Sequence, residues 1–167
     1  GFYVTQLAHM AGARVIAIVS SEQKAQLAKN IGAAEVINYK TESLVDRVQA
    51  LTNKLGADAI IDVDDATHAP LYGSLLNLNG KAVVYGSNQP QVSMPFGPMI
   101  MGFINIYYFI VYKLPAQAMQ EVLSAVSAVL SAPGFKHPPT SIYALADIAK
   151  AHEQVERGAN AKVLIKL

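Results

Sequence analysis

Two serines and a lysine in one short segment could bind an anion. The segment Ser20-Ser21-Glu22-Gln23-Lys24 follows a run of apolar, β-branched residues. Ser21 is suited to cap a helix, and the N–H groups in the first turn of a helix attract negative charge. Two hydroxyl groups and an ammonium group beside them would attract a phosphate. A capped helix on the protein surface has the same composition, so both interpretations stay open at this point.

The elements around this segment place it at the carboxyl end of a strand. Small and apolar residues recur with helical spacing between Val4 and Ala11, and the run Val15–Val19 is typical of a strand buried on both faces. In dinucleotide-binding folds an acidic residue after the second strand usually binds the ribose 2′-hydroxyl. Here Ser20 and Ser21 take that place, and a 2′-phosphate would be attracted where a carboxylate would repel it. These residues therefore favour NADP(H) over NAD(H).

The rest of the chain alternates between helical and strand-like segments, as in an α/β fold with a parallel sheet. The predicted helices are Glu22–Ile31, a helix capped by Thr41 or Ser43 and ending at Leu55-Gly56, Ala66–Leu78, Ala116–Ser131 and Leu145–Arg157. The predicted strands are Ala33–Tyr39, Ala57–Val63, Lys81–Asn88, Asn105–Tyr112, Thr140–Ala144 and Lys162–Leu167, with a proline-rich loop before Asn105. We expect a Rossmann-type, doubly wound parallel sheet with a C-terminal helix–strand appendage.

Glycines near the beginning indicate which part of such a fold the sequence covers. By its spacing to Gly12, Gly1 is predicted to be the last glycine of the Gly-rich turn that joins the first strand to the first helix. We therefore expect the first strand and any upstream domain to be absent from this sequence. Residues 1–114 would form the dinucleotide-binding domain, and residues 115–167 a C-terminal segment.

Composition gives no support to several classes of function. The net charge of +1 gives no argument for binding nucleic acid or an anionic membrane. The chain has no cysteine, which excludes disulfides and thiolate metal sites and is compatible with a cytoplasmic protein. Residues 87–112 carry no charge, but prolines and side-chain amides interrupt them, so we reject a membrane span.

Three segments resemble the nucleotide-binding half of the medium-chain dehydrogenase/reductase superfamily, specifically its quinone oxidoreductase (zeta-crystallin-like) branch. They are Gly1–Gly12, Val15–Lys24 and Ile37-Asn38-Tyr39. The resemblance implies that Lys24 and Tyr39 bind the 2′-phosphate of NADP(H), although Tyr39 could simply border the sheet.

The same resemblance assigns roles to later segments. Backbone beside Gly86, in the sequence Gly86-Ser87-Asn88, would approach the nicotinamide end of the cofactor, although a glycine there is also common in plain turns. The strand near Asn105–Tyr112 would lie at the sheet edge and pair with a second subunit in a homodimer. Residues 115–167 would pack against the catalytic domain.

The tail of the strand predicted at Ala57–Val63 departs from the family pattern. The family's usual Asp-Xaa-Val-Gly is replaced by an acidic turn without glycine, Asp62-Val63-Asp64-Asp65, which leaves the local cofactor contact in doubt. Clustered carboxylates can bind a metal, but no further oxygen ligand has the spacing of a calcium loop. We predict that Asp65 caps the next helix and that no metal binds.

These observations and the resemblance together predict an NADPH-dependent oxidoreductase, and the resemblance implies that it transfers hydride from nicotinamide C4 to a quinone or a conjugated carbonyl compound. No residue is a convincing acid, base or nucleophile, so no catalytic residue is assigned, and we expect this chain alone to be inactive. No tyrosine has a lysine four residues later, which argues against a short-chain dehydrogenase. The alternatives are a zinc-dependent alcohol dehydrogenase of the same superfamily and a non-catalytic NADP(H)-binding module.

Overall fold

The computed structural model describes residues 1–167 and consists of helices and parallel strands. The α-helices are α1 Phe2–Met10, α2 Glu22–Asn30, α3 Leu44–Leu51, α4 Asp65–His68, α5 Tyr72–Leu75, α6 Phe96–Met101, α7 Ala116–Leu130 and α8 Ile148–Glu156. The strands are β1 Val15–Val19, β2 Ala33–Asn38, β3 Ala57–Asp62, β4 Leu76–Val84, β5 Asn105–Tyr108, β6 Thr140–Ala144 and β7 Lys162–Lys166. Short 3₁₀-helices lie at Ala69–Leu71, Val111–Lys113 and Leu145–Asp147. None of the helices has the length and apolar character that crossing a membrane requires.

All strand pairs are parallel and form three sheets. Strand β1 pairs with β2, strands β3, β4 and β5 follow one another in that order, and β6 pairs with β7. Parallel neighbours need a crossover connection, and helices supply it between the paired strands. This arrangement confirms the predicted α/β class. One edge of β1 and one edge of β3 have no partner strand within the chain.

The chain divides into two compact units. The first comprises residues 1–40 and 131–167, and the second comprises residues 41–130. Each unit contains its own buried cluster. The cluster of the first unit consists of Ala17, Val19, Ala25, Ala28 and Ala33, and that of the second consists of Ala69, Tyr72, Leu76, Ala82 and Val84. The domain boundary expected at residue 114, and the packing of the C-terminal segment on a catalytic domain, stay predictions.

In the first unit, local sequence signals predict the elements closely. Strands β1 and β6 have the predicted bounds, and α2 begins at the predicted Glu22. The buried Ala25 and Ala28 lie about one turn apart on α2 and pack in the cluster that contains the β1 residues. The small side chains let this helix approach the sheet closely.

In the second unit, the prediction of one helix over Ala66–Leu78 is wrong. The segment forms the short helix α4, a 3₁₀ turn that contains Pro70 and the short helix α5, and β4 already begins at Leu76. Proline lacks the N–H group of a helix interior, and Gly73 has a low helix propensity. The 3₁₀ turn at Pro70 interrupts the helix, and the extended backbone of Leu76 ends it, while Gly73 itself lies within α5.

Three further boundaries in this unit differ from prediction. Helix α3 ends at Leu51, because Asn53 and Lys54 adopt positive φ angles of 53° and 64° that a helix cannot continue. Helix α6 lies in the segment predicted as a loop, and its Pro98 is tolerated in the first turn. Strand β5 ends at Tyr108 rather than at Tyr112.

Candidate cofactor site

Ser20, Ser21 and Lys24 lie together at the carboxyl end of β1. Ser21 is the N-cap of α2, and its Oγ accepts a hydrogen bond from the Lys24 N–H at 3.3 Å. The Lys24 side chain turns back, so that Nζ donates to Ser20 Oγ at 3.1 Å. An ammonium group, two hydroxyls and the amino end of a helix therefore meet at one place. This donor set suits a phosphate group.

Tyr39 lies at the same edge of the β1–β2 sheet. The last residues of the two strands, Val19 and Asn38, are paired in register, so Ser20 and Tyr39 are the first residues beyond that pair. The Tyr39 N–H donates to the Val19 carbonyl at 3.1 Å, and 54% of the residue is exposed. Tyr39 therefore lies on the strand next to the one that leads into the serines.

Gly1 forms the N-cap position of α1. Its carbonyl accepts a hydrogen bond from the Thr5 N–H at 2.9 Å, and a Cβ atom at Gly1 would have no neighbour within 4 Å. No contact inside the chain requires glycine at this position. The role of Gly1 beside the cofactor stays a prediction.

The loop Gly86–Asn88 follows β4 and lies against the acidic turn that follows β3. The Tyr85 N–H donates to the Asp62 carbonyl at 3.0 Å, and the Asp65 N–H donates to the Gly86 carbonyl at 3.2 Å. A Cβ atom at Gly86 would lie 2.6 Å from the Val63 carbonyl oxygen. Glycine is therefore required here by the close approach of two segments of the chain itself.

Ser87 and Asn88 direct polar groups back into the protein. The Asn88 N–H donates to Asp64 Oδ1 at 3.1 Å, and Asn88 Nδ2 donates to Asp64 Oδ2 at 3.2 Å and to Thr67 Oγ1 at 3.1 Å. The Ser87 hydroxyl donates to the Gln89 carbonyl at 2.8 Å. These bonds use every N–H group of Asn88, which anchors the loop.

Two buried carboxylates lie at the carboxyl end of β3. Asp62 is 5% exposed and Asp65 is fully buried. The Tyr72 hydroxyl lies between them, 2.8 Å from Asp62 Oδ2 and 3.0 Å from Asp65 Oδ1. The Tyr108 hydroxyl donates to Asp65 Oδ2 at 2.7 Å. His68 Nδ1 lies 2.9 Å from both carboxylate oxygens of Asp62. The network thus connects the ends of β3 and β5.

The predicted capping role of Asp65 is wrong. Asp64 occupies the N-cap position of α4 without a side-chain capping bond, and Asp65 lies inside the helix. The Asp65 carboxylate accepts hydrogen bonds from tyrosine hydroxyls, because burial removes it from water and it needs donors from the protein.

The network shifts the ionisation of its members. Burial alone would raise the pKa of Asp62, but hydrogen bonds from His68, the Asp64 N–H and Tyr72 outweigh it and hold that pKa below 3.8. The hydrogen bond to Asp62 raises the pKa of His68 above 6.5, against the opposing effect of burial. Burial and the neighbouring carboxylates raise the pKa of Tyr72 far above its usual range and that of Tyr108 to about 12. Both tyrosines therefore remain hydrogen-bond donors at neutral pH.

The Asp62–His68 pair predicts a pH dependence of stability. A raised pKa at His68 stabilises the fold fully below pH 6.5, and this contribution is lost as the pH rises through the folded-state pKa. A lowered pKa at Asp62 stabilises above pH 3.8 and is lost in acid. Between pH 3.8 and pH 6.5 we expect the free energy of unfolding of the parent to exceed that of a His68→Asn variant by up to about 1 kcal/mol. Urea unfolding at a series of pH values measures this difference. A difference that does not change with pH would contradict the prediction.

The carboxylates do not form a metal site. No group of three or more His, Asp or Glu side chains is arranged to bind a metal ion. The chain also has no cysteine. The residues of this chain therefore do not fit a zinc ion.

The acidic turn is evident in the sequence, but its partners are not. Asp65 and Tyr72 are seven residues apart, which is about two helical turns, and this spacing is the one local signal that could have suggested their contact. Tyr108 lies 43 residues from Asp65, and no local pattern indicates that bond.

The chain is similar to known dehydrogenases and reductases. Residues 1–128 match the model of a family described as zinc-binding dehydrogenase. A quinone oxidoreductase from Sus scrofa is 24% identical over 169 residues, which are 100% of this chain and 51% of that protein. A quinone oxidoreductase from Salmonella typhimurium is 30% identical over 174 residues, which are 95% of this chain and 50% of that protein.

Solved structures show the same fold. The quinone oxidoreductase of Escherichia coli complexed with NADPH gives a TM-score of 0.82 at 25% identity, and the match covers 99% of this chain and 53% of the other. A quinone oxidoreductase from Pseudomonas syringae gives a TM-score of 0.82 at 27% identity, and the match covers 97% of this chain and 52% of the other. The chain spans about half the length of the relatives it matches.

These findings confirm the predicted Rossmann-type fold and the resemblance on which the site was predicted. The chain belongs to the zinc-binding dehydrogenase family, within the quinone oxidoreductase branch of the medium-chain dehydrogenase/reductase superfamily.

Proposed function

We propose that the chain is the cofactor-binding part of an NADPH-dependent oxidoreductase that reduces a quinone or a conjugated carbonyl compound. The observation that carries the proposal is the contact of Lys24 Nζ with Ser20 Oγ at 3.1 Å beside the amino end of α2. The relatives named quinone oxidoreductase support the class of reaction. A nicotinamide cofactor fits the donor set on this edge, and its extra phosphate in NADPH would bind there.

Each group of residues has its own task in this proposal. Ser20, Ser21, Lys24 and Tyr39 bind the adenosine end and its 2′-phosphate. The loop Gly86–Asn88 presents backbone to the nicotinamide end. When bound, the nicotinamide supplies hydride to the acceptor. The chain's own residues bind, orient and shield the cofactor, and none is assigned as an acid or base. We therefore keep the prediction that this chain alone is inactive.

The experiment combines the native protein, at its full natural length, with NADPH and a panel of quinones and enones, and follows the loss of reduced-nicotinamide absorbance. We expect oxidation of NADPH that depends on the acceptor and is slower with NADH. Incubation with a zinc chelator is the control, and we expect it to leave the rate unchanged. Binding of NADPH without turnover of any acceptor would favour the non-catalytic module. Loss of activity with the chelator, together with bound zinc, would favour the alcohol dehydrogenase.

We also propose that β5 pairs with a second copy of the protein. This strand lies at the edge of its sheet and pairs only with β4. Its Tyr107 is 52% exposed and Tyr108 is 61% exposed, and an exposed apolar edge strand readily pairs with another chain.

The cytoplasmic location of the protein also stays a prediction.

We expect a Tyr107→Lys variant to dimerise at least about tenfold more weakly than the parent, because a two-fold interface would bring two like charges close together. Sedimentation equilibrium measures the dimer constant. Leu55→Lys is the matched control, since Leu55 is 72% exposed in the same unit and lies outside β5. An unchanged dimer in the Tyr107 variant, or a monomeric parent, would contradict the proposal.

A further inference from the structure

We propose that Asp64 is a positioning residue that holds the loop Gly86–Asn88 in the conformation that receives the cofactor. This inference rests on the proposed function, because the loop is assigned there to the nicotinamide end. It gives a task to the acidic turn, in which the sequence suggested only a helix cap or a metal site.

Both oxygens of the Asp64 carboxylate are used by one residue of the loop. Oδ1 accepts the Asn88 backbone N–H at 3.1 Å, and Oδ2 accepts Asn88 Nδ2 at 3.2 Å. The second N–H of the Asn88 amide donates to Thr67 Oγ1 at 3.1 Å. Three hydrogen bonds from one loop residue restrict both its backbone and its side chain. The Asn88 side-chain N–H groups serve this restraint instead of pointing toward a ligand.

Asp64 can act in this way because its own position is fixed. Its N–H donates to Asp62 Oδ1 at 2.9 Å, and its carbonyl accepts the N–H groups of Thr67 at 3.1 Å and His68 at 3.2 Å. Asp62 is in turn held by the buried Tyr72 hydroxyl at 2.8 Å. The carboxylate that binds the loop is therefore attached to the most buried part of the second unit.

Backbone contacts make the restraint specific to this loop. The Gly86 carbonyl accepts the Asp65 N–H at 3.2 Å, and the Val63 carbonyl leaves no room for a side chain at residue 86. The turn thus holds the first residue of the loop through backbone and the third through the Asp64 side chain. Loss of the carboxylate would release Asn88 and leave Gly86 in place. The expected result is a loop that still follows β4 but samples more conformations.

The test compares Asp64→Ala, Asn88→Ala and the double variant in the native protein. Asp58→Ala is the matched control, because Asp58 is an exposed aspartate of β3 whose carboxylate bonds the Asn77 side chain. The first readout is amide hydrogen exchange of Asn88 without cofactor, and the second is the dissociation constant for NADPH. We expect Asp64→Ala to accelerate the exchange and to weaken NADPH binding, each by about tenfold, and Asp58→Ala to change neither.

The double variant separates positioning from direct contact. If Asp64 acts through Asn88, the double variant binds NADPH no more weakly than Asn88→Ala alone. Additive losses would overturn the proposal, because they mean that the two residues act independently. An unchanged exchange rate of the Asn88 amide in Asp64→Ala would also overturn it, whatever the affinity of that variant for NADPH. A parent that binds no NADPH would instead refute the proposed function, and with it the cofactor part of this inference.

Discussion

The Lys24→Glu variant of the native protein is expected to bind NADPH at least about tenfold more weakly than the parent, with little change in NADH binding. A hydrogen bond that involves a charged group contributes about 1.5 to 3 kcal/mol, and 1.4 kcal/mol is a factor of ten in affinity. Lys24 Nζ lies 3.1 Å from Ser20 Oγ at the amino end of α2, where a 2′-phosphate would bind. A carboxylate there would repel the phosphate that distinguishes the two cofactors. Titration calorimetry with both cofactors measures the difference.

Lys29→Glu is the control for this result. Lys29 is exposed in the last turn of the same helix, so the variant changes the total charge by the same amount but leaves the amino end intact. We expect its affinity for NADPH to stay close to that of the parent. Equal losses of NADPH and NADH affinity in the Lys24 variant would show that this lysine does not recognise the phosphate.

The residues at the carboxyl end of β1 could be predicted because their signals are local. An apolar run of five residues, four of them β-branched, predicts β1, and a serine before a charged, polar stretch predicts the start of α2. Parallel pairing of β1 with β2 then brings Tyr39 to the edge that holds Ser20. Periodicity, capping and the rule that parallel strands end at one edge were sufficient to place these residues together, and the family resemblance supplied their expected role.

The contacts of the loop Gly86–Asn88 and the acidic turn could not be predicted in the same way, because residues far apart in the sequence form them. Acidic residues in a row indicate an exposed turn, and the seven-residue spacing to Tyr72 is the one local signal that a tyrosine contacts Asp65. Its partner Tyr108 belongs to a strand 43 residues later. The bonds from Asn88 to Asp64 span 24 residues and require that β3 and β4 be neighbours. The loop could therefore be predicted from the sequence, but the residues that hold it could not.

We expect Asp65→Ala to lower the free energy of unfolding by about 2 to 4 kcal/mol, because it removes a buried acceptor and leaves a cavity. The fully buried Asp65 accepts the Tyr108 hydroxyl at 2.7 Å and lies 3.0 Å from the Tyr72 hydroxyl. Without the carboxylate, the Tyr108 hydroxyl loses its partner. Urea unfolding of the parent and the variant at neutral pH measures the loss.

Asp65→Asn is the matched variant, and counting hydrogens predicts a different result for it. The Tyr72 hydroxyl carries one hydrogen but lies within hydrogen-bond distance of two carboxylates, those of Asp62 and Asp65. An asparagine at position 65 can donate to the Tyr72 oxygen and accept from Tyr108, while Tyr72 donates to Asp62. Each oxygen then has a partner, although one of the two N–H groups of the buried amide gains no acceptor among these residues. We therefore expect Asp65→Asn to cost about 1 kcal/mol, which is less than the cost of Asp65→Ala. If asparagine is as destabilising as alanine, the charge of Asp65 is itself required. If alanine costs less than about 1 kcal/mol, the network does not stabilise the end of β3.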